Sequence, residues 1–369
     1  MLKDRAQKAS ALRLCVSKRW FPQLEVDVEA AKSFERSKAL LTDIDVLSVA
    51  RAPFGGHVRV VFDCKSGTRE SAIGRAFWLH GVMTRVSGSH GFLILNDKVS
   101  IQRDHRVSAA DLAVSLVHEC EFPDLAKGMG GTLAPCASTT ENIDAWDQLI
   151  GIGQKYPNLL EYMRFARSGY WMTKDHGEQC RRTVAKLRTI RGELDPARPE
   201  HVAVFGDALA LFLLALSELA NRLFLVLLRP SSQDEFSSSL LAMIYGGYDN
   251  LEVAQKVRRL AAGAEPDAAL NIFPEIERFE HLVRELLQAP REVLTAALYA
   301  RELSLSFLTG AGPNRFQQEL TVEAPFASKF VYMASDYLQK AIRLPPEFGS
   351  LYSDAALSMS STRGSITSP

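Results

Sequence analysis

Two aspartates and a lysine occupy positions in this sequence where predicted strands are otherwise apolar. The stretch "VRVVFDCKSG" begins as a buried strand and ends with Asp63, Cys64 and Lys65, and the earlier stretch "DIDVL" carries Asp45 in a similar apolar context. Successive side chains of a strand point to opposite faces, so Asp63 and Lys65 share one face and Cys64 points to the core. If the two strands pair with Asp45 beside Asp63, the three polar side chains share one pocket.

Such a pocket has a definite chemical use. Two carboxylates a few ångströms apart repel, which raises the pKa of one of them unless a cation lies between them. Hard oxygen ligands favour Mg²⁺ or Mn²⁺, which accept a phosphate oxygen as a further ligand. The metal would polarise the phosphate and lower the pKa of an attacking water, while Lys65 orients that water and offsets negative charge. The pattern therefore predicts phosphodiester hydrolysis, with Asp45, Asp63 and Lys65 as catalytic residues.

Periodicity predicts the elements that must position these residues. The predicted order is a helix at 2–20, strands at 23–30, 40–49 and 58–66, a helix at 69–83, a strand at 91–96 and a helix at 106–119. The helix at 69–83 has an apolar stripe, and Arg75 is predicted to be a solvated residue opposite that stripe. The two strands that carry the candidate residues are neighbours in this order, and 18 residues separate Asp45 from Asp63.

In this context the motifs resemble the PD-(D/E)xK restriction-endonuclease-like nucleases. They look most like the branch whose strands read acidic-x-Asp-Val-Leu and then apolar-acidic-Cys-Lys-Ser, and the resemblance covers about residues 1–125. It implies that Asp45 is the first metal-binding aspartate, Asp63 the acidic residue of the (D/E)xK motif and Lys65 its lysine. It also implies that the backbone carbonyl of Cys64 completes the metal shell.

The resemblance has further implications and one departure. It implies a mixed sheet flanked by helices, a nucleic-acid substrate, with DNA favoured over RNA, and a role in bacterial restriction or anti-phage defence. A homodimer is expected because cutting both strands of a duplex needs two sites. Many family members place a Glu on the first helix, whereas this predicted helix offers Asp4 and Gln7. Ser66 and Arg69, just past the lysine, could contact a phosphate or simply begin the next helix.

The rest of the chain is predicted to be helical. A stretch rich in Gly, Pro, Ser and Thr at 128–140 is interpreted as the linker between a nuclease-like domain at 1–127 and an all-α domain at 141–350. The residues at 351–369 are predicted to be a disordered tail, because the stretch "SDAALSMSSTRGSITSP" at 353–369 is rich in small and polar residues and has few bulky apolar side chains. The all-α domain would sense a trigger, bind a protein partner or hold two nuclease domains together.

Composition narrows the class of protein. With 369 residues, 47% of them hydrophobic and 23% charged, the chain is long enough for two soluble domains. Residues 1–106 hold 18 Lys and Arg against 11 Asp and Glu, which hints at a phosphate-bearing partner. The five cysteines include no C-x-x-C pair, and no signal peptide precedes them, so a disulfide framework and a zinc site are disfavoured and a reducing cytoplasm is expected. The apolar run "ALALFLLAL" at 208–216 is shorter than the roughly 20 residues of a membrane span and predicts a buried helix, not a membrane anchor.

Two alternatives to catalysis stay open. The aspartates and the lysine could form an ion pair at the exposed end of a sheet, with no function. The domain could also keep the nuclease fold without its chemistry and act as a protein-interaction scaffold or a nucleic-acid-binding module. Five basic residues in "CRRTVAKLRTIRG" at 180–192 could grip a nucleic-acid backbone, but they lie on several sides of the predicted helix, which favours a solvated helix.

Overall fold

The computed structural model of the protein describes residues 2–30, 39–53, 55–228, 230, 232–262 and 273–361. The chain divides into two compact units. The first comprises Met1–Gly151, Arg167–Met172 and Asn314–Phe316, and the second comprises Ile152–Ala166, Thr173–Pro313 and Gln317–Pro369.

A five-stranded mixed sheet forms the centre of the first unit. Its strands are β1 (Phe21–Glu29), β2 (Leu40–Arg51), β3 (His57–Lys65), β4 (Gly88–Leu95) and β5 (Val114–His118), in the order β1-β2-β3-β4-β5. The pairs β1–β2 and β2–β3 are antiparallel, and the pairs β3–β4 and β4–β5 are parallel. The helices of this part are α1 (Arg5–Ser17), α2 (Ala72–Val86), α3 (Arg103–Asp111), α4 (Phe122–Gly128) and the start of α5 (Ile143–Lys155). The predicted mixed sheet with flanking helices is therefore present.

Helix α2 makes the crossover between β3 and β4. Parallel neighbours need such a connection, because a tight turn joins only antiparallel strands. The side chain of Ser71 accepts a hydrogen bond from Gly74 N and caps the helix, and Ala76 and Leu79 on its buried face are fully buried. This arrangement places the first turn of α2, which contains Arg75, close to the end of β3.

The predicted helix at 106–119 is wrong in its second half. Helix α3 ends at Asp111, Ala113 adopts a left-handed conformation with φ of 57°, and β5 follows at once. β5 pairs with β4 along its whole length, with Val114 opposite Gly91 and His118 opposite Leu95. The apolar residues of this stretch fit a helical period and a short strand equally well, and the free edge of β4 decides between them.

The predicted linker at 128–140 lies inside the first unit. Trp146, beyond the stretch, is fully buried, and its Nε1 donates a hydrogen bond to Thr140 O at 2.8 Å. The guanidinium of Arg5 also contacts Asp147 Oδ2 at 3.2 Å. A loop rich in Gly, Pro and Ser resembles a linker in composition, but these contacts bind the segment after it to the sheet-containing unit.

The second unit is largely helical, and its described residues contain no strand. Its helices are the end of α5, α6 (Leu160–Arg164), α8 (His176–Thr189), α9 (Pro199–Leu227), α10 (Gln233–Tyr245), α11 (Tyr248–Ala262), α12 (Ile276–Leu286), α13 (Val293–Thr309), most of α14 (Arg315–Glu323), α15 (Ala327–Ile342) and α16 (Pro346–Ser361), while the one-turn α7 (Tyr170–Met172) belongs to the first unit. The predicted all-α character of this region is present.

The apolar run at 208–216 lies in α9, and all residues from His201 to Ala220 are buried. By length and composition this helix could cross a membrane, since an 18-residue window has a mean hydropathy of 2.0, but that window is completely buried within the protein. The predicted buried helix is confirmed for this part. The last turns differ, because Leu225 and Val226 are exposed.

The prediction of a disordered tail from residue 351 is wrong as far as Ser361, and the remaining residues lie outside the described part. Helix α16 continues through this region, Tyr352 is fully buried, and its hydroxyl donates to Val202 O at 3.0 Å. The small side chains of the tail suit close packing of α16 against its neighbours, which composition alone does not distinguish from disorder.

Candidate active site

The two candidate aspartates lie next to each other where the pairing of β2 with β3 ends. The last paired residues are Val46 and Phe62, and the next residue on each strand toward this end is an aspartate. In place of further backbone pairing, Asp45 Oδ2 accepts a hydrogen bond from the backbone N–H of Cys64 at 2.7 Å. Asp45 and Asp63 are each 3% exposed. The two aspartates therefore lie side by side as predicted, and the Asp45 side chain adds one hydrogen bond beyond the last backbone pair. Both carboxylates are buried.

Lys65 bridges the two carboxylates. Its Nζ lies 3.2 Å from Asp45 Oδ2 and 3.0 Å from Asp63 Oδ1. The side chain is 24% exposed, so it reaches from solvent to the two buried aspartates. The structure thus brings together the three residues that the sequence singles out as catalytic.

Arg75 is the first residue of the site that sequence reasoning missed. It was predicted to be solvated, but its Nη2 lies 2.6 Å from Asp63 Oδ1 and its Nε donates to Asp63 Oδ2 at 2.9 Å. The guanidinium also lies 3.7 Å from the ring centroid of Trp78. Trp78 follows Arg75 by three residues, a spacing that puts both side chains on one side of a helix. The spacing of Arg75 and Trp78 was a sequence signal that Arg75 is not freely solvated, because a guanidinium stacked on an aromatic ring is held in place.

Lys8 is the second missed residue, and it occupies the helix where the resemblance implies a glutamate. Its Nζ lies 2.9 Å from Asp45 Oδ1 and also contacts the carboxylate of Glu25 on β1. The Lys8 side chain is only 3% exposed. No sequence signal separates this lysine from the other basic residues of α1, since its partners come from strands further along the chain.

The other polar residues at the start of the chain hold the backbone after Lys65. Gln7 Nε2 donates to Lys65 O at 3.1 Å and to Glu119 Oε2 at 3.3 Å. Asp4 Oδ1 accepts hydrogen bonds from the Ser66 hydroxyl and, at 2.9 Å, from Ser66 N. Asp4 and Gln7 therefore position the end of β3, and the Ser66 hydroxyl is used in that contact.

Arg69 differs from Ser66 because it remains available to a ligand. It lies in the loop between β3 and α2 and is exposed, and within the described residues no hydrogen bond or ion pair involves its side chain. Of the two residues considered for phosphate contact, the structure leaves Arg69 pointing to solvent and ties Ser66 to Asp4.

The site contains equal numbers of acidic and basic groups. Three carboxylates, those of Asp45, Asp63 and Glu25, meet the three cations of Lys8, Lys65 and Arg75. Each buried carboxylate thus has at least one cationic partner, as buried charges require.

Burial and charge act in opposite directions on these groups. Burial raises the pKa of Asp45, but the ammonium groups of Lys65 and Lys8 and the N–H of Cys64 outweigh it and hold that pKa below its usual value. Burial raises the pKa of Asp63 despite the opposing effect of Lys65 and Arg75. For Lys65, burial alone would lower the pKa, yet the carboxylates of Asp63 and Asp45 raise it. Lys65 is therefore an ammonium ion at neutral pH.

The oxygen atoms of this site fit a hard divalent cation. Among the described residues, no three His, Cys, Asp or Glu side chains are grouped as metal ligands, so the available donors are two carboxylates and one backbone carbonyl. The N–H of Cys64 points at Asp45, and its carbonyl leaves β3 on the same side, since both groups of a strand residue point the same way. The Cys64 side chain points to the core on the opposite face of β3, where burial raises the pKa of its thiol. The Lys65 ammonium lies between the two carboxylates, where a metal cation would also bind. If the Lys65 side chain moves aside, Asp45, Asp63 and the carbonyl oxygen of Cys64 could hold Mg²⁺ or Mn²⁺ there.

No family model, no curated protein and no solved structure matches this chain. The arrangement of the residues themselves therefore carries the functional argument.

The Lys8 ion pairs lead to a prediction about stability. Lys8→Met is expected to lower the free energy of unfolding at neutral pH by about 3–5 kcal/mol, because it leaves the buried Asp45 and the half-buried Glu25 with one cation fewer. Burial already raises the pKa of Glu25, and loss of the ammonium raises it further. The folded variant then binds protons that the unfolded chain releases, so its deficit relative to the wild type should shrink as the pH falls toward about 5.

Urea unfolding of Lys8→Met and of the wild type near neutral pH and at about pH 5 measures this deficit. Lys3→Met, an exposed lysine just before α1, is the matched control and should have little effect at either pH. A deficit that is small, or that grows on acidification, would show that Lys8 is not needed to compensate these carboxylates.

Proposed function

We propose that the first unit is a metal-dependent nuclease of the PD-(D/E)xK type, which hydrolyses phosphodiester bonds of nucleic acid, DNA in preference to RNA. One observation carries the proposal: Asp45, Asp63 and Lys65, which come from two strands, converge where β2 and β3 stop pairing, and Asp45 also accepts the N–H of Cys64. A surface ion pair would not require two aspartates that are each 3% exposed. Buried carboxylates are costly, and they are commonly found where chemistry needs them.

The residues have distinct roles in this proposal. Asp45, Asp63 and the carbonyl of Cys64 would hold Mg²⁺ or Mn²⁺, which when bound polarises the phosphate and lowers the pKa of a water. Lys65 is charged at neutral pH, so it acts as a cation that stabilises negative charge on the phosphate, and not as a general base. Gln7 positions Lys65 through the hydrogen bond to its carbonyl.

Arg75 and Lys8 lower the affinity of the two aspartates for a metal ion. Each pairs with one of the two aspartates and reduces the negative charge that attracts a divalent cation. Metal affinity should therefore be lower in the free protein than with a phosphate present, because the phosphate supplies further negative charge. Lys65 and Arg75 are partly exposed, Arg69 is exposed, and residues 1–106 carry an excess of basic residues, all of which suits a nucleic-acid backbone.

The proposal extends to the rest of the chain. The helical unit would bind a protein partner, sense a trigger or join two copies of the chain, and a homodimer would present two sites to a duplex. A cytoplasmic location, expected from the cysteine pattern, and a role in bacterial restriction or anti-phage defence, implied by the resemblance, belong to the same proposal.

The test is cleavage of plasmid, linear duplex, single-stranded DNA and RNA with Mg²⁺, Mn²⁺ or EDTA. We expect product with a divalent metal and none with EDTA, and we expect Asp45→Asn to abolish it. Asp43→Asn is the matched control, because Asp43 precedes Asp45 by two residues on β2 and is exposed. Equal cleavage by both variants would mean that Asp45 does not belong to the site.

A second candidate function, that of a non-catalytic scaffold, is favoured by the equal numbers of positive and negative charges in the site. Since three cations already compensate the three carboxylates, the same unit could be stable as a scaffold that binds protein or nucleic acid without cutting. A scaffold should show no thermal shift with Mn²⁺, whereas the nuclease should show one that disappears in Asp63→Asn.

A further inference from the structure

The second unit contains a cavity that is separate from the candidate active site. Its volume is about 650 Å³, within the range of small-molecule sites, and it lies between α8, the turn that follows α8, the end of α10 and the residues just before α12. The lining of the cavity includes Arg181, Val184, Arg188, Arg191, Tyr245 and Phe273.

The charged side chains that the structure describes in the lining of this cavity are all basic, with three arginines and no acidic residue among them. Arg181 is fixed, since its Nε donates to Ile244 O at 2.9 Å and its guanidinium lies 4.7 Å from the ring centroid of Tyr245. Arg188 and Arg191 are exposed, and within the described part of the chain neither side chain has a hydrogen bond or ion pair. Two guanidinium groups are thus available to an anion.

The other basic residues of the same segment are compensated. Arg182 contacts Glu178 at 3.6 Å and donates to Thr173 Oγ1 at 2.6 Å, and Lys186 pairs with Glu161. The five basic residues at 180–192 therefore divide into two that pair with acidic side chains and three that line the cavity. The sequence pattern that predicted a solvated helix does not explain this division.

The remaining wall of the cavity is apolar and partly aromatic. Val184 and Phe273 are each 2% exposed, and Tyr245 is 9% exposed. The ring of Phe273 is held in place by Phe279 at a centroid distance of 4.6 Å and by Tyr337 at 6.2 Å. A rigid aromatic surface beside free guanidinium groups suits a ligand with a flat ring and an anionic group.

We propose that this cavity binds a nucleotide, with its phosphates on Arg188 and Arg191 and its base against Phe273 and Tyr245. Arginine recognises phosphate through paired hydrogen bonds. The cavity is much larger than a phosphate ion, whose contacts would leave the aromatic wall empty. Its concave shape also favours a small molecule over a nucleic-acid strand, which would need a basic groove that tracks the backbone.

The test is isothermal titration of the full chain with ATP, GTP, CTP and UTP in EDTA, so that no metal links the nucleotide to the candidate active site. We expect saturable binding of one molecule per chain for at least one of them. Arg188→Ala and Arg191→Ala should each weaken it about tenfold or more, since a charge-assisted hydrogen bond is lost. Arg164→Ala, an exposed arginine of the same unit that does not line the cavity, should leave affinity unchanged. Tripolyphosphate and the free nucleoside should both bind more weakly than the nucleotide.

Three results would overturn the proposal. The first is no saturable binding of any of the four nucleotides at millimolar concentration. The second is binding that Arg188→Ala and Arg191→Ala leave unchanged. The third is tripolyphosphate, or a single-stranded oligonucleotide, that binds as tightly as the best nucleotide through the same arginines, because the aromatic wall or the concave shape would then have no role. All variants change exposed side chains, and their thermal unfolding should match the wild type.

Discussion

Lys65→Ala is expected to lower metal-dependent cleavage by about 10²–10⁴-fold, the usual cost of losing a positioned electrostatic group. The ammonium lies within 3.2 Å of both aspartates and stays charged at neutral pH. It is therefore placed to stabilise negative charge where the phosphate would react. The polypeptide fold should survive, since the side chain stands at the end of β3 and contributes little packing.

The variant should nonetheless respond differently to metal. Lys65 bridges two buried carboxylates, so its loss should lower thermal stability, and a divalent cation should recover part of the loss by taking its place. Single-turnover cleavage and thermal unfolding with and without Mn²⁺ measure the two effects. Lys98→Ala, an exposed lysine beyond β4, is the matched control. Cleavage by Lys65→Ala at the wild-type rate would make the active-site assignment wrong.

The part of the site that follows from local patterns was predictable. Alternation along β2 and β3 gave the faces of Asp45, Asp63 and Lys65, and an antiparallel register placed the aspartates side by side. Both facts depend only on residues close in sequence and on strand geometry. The interpretation of Cys64 as a core residue follows from the same alternation, and the residue is fully buried.

The partners of the aspartates were not predictable in the same way. Lys8, which precedes Asp45 by 37 residues, reaches it from α1, and Arg75 reaches Asp63 from the crossover helix. The spacing of Arg75 and Trp78 indicates a stacked guanidinium but not its partner Asp63, and no local pattern marks Lys8, because a lysine or arginine is usually solvated. Only the packing of α1 and α2 on the sheet brings them to the carboxylates.

The errors in the elements have the same origin. The stretch that became β5 satisfies a helical period, and it is a strand because it pairs with β4. Within the region predicted to be all-α, α10 ends and α11 begins at Gly246 and Gly247, whose φ angles are 72° and 123°. Paired glycines do indicate such a break, and this signal was available in the sequence.

Asp63→Asn is expected to lower cleavage by about 10³-fold or more, because it removes the charge of a proposed metal ligand while keeping the shape of the side chain. Arg75 and Lys65 would then face a neutral amide, and the site would gain positive charge relative to the wild type. Both the added charge and the lost ligand weaken binding of a divalent cation.

Mn²⁺ should therefore raise the thermal unfolding temperature of the wild type and not that of Asp63→Asn. Nucleic-acid affinity in EDTA should be equal or slightly higher in the variant, since the extra positive charge favours phosphate contact. Asp97→Asn, an exposed aspartate of the same unit, controls for charge alone. A variant that still cuts, or that keeps the Mn²⁺ shift, would show that Asp63 serves only as the partner of Arg75 and Lys65. If neither the variant nor the wild type cuts or shifts, the ion pairs are structural and the scaffold function is the better proposal.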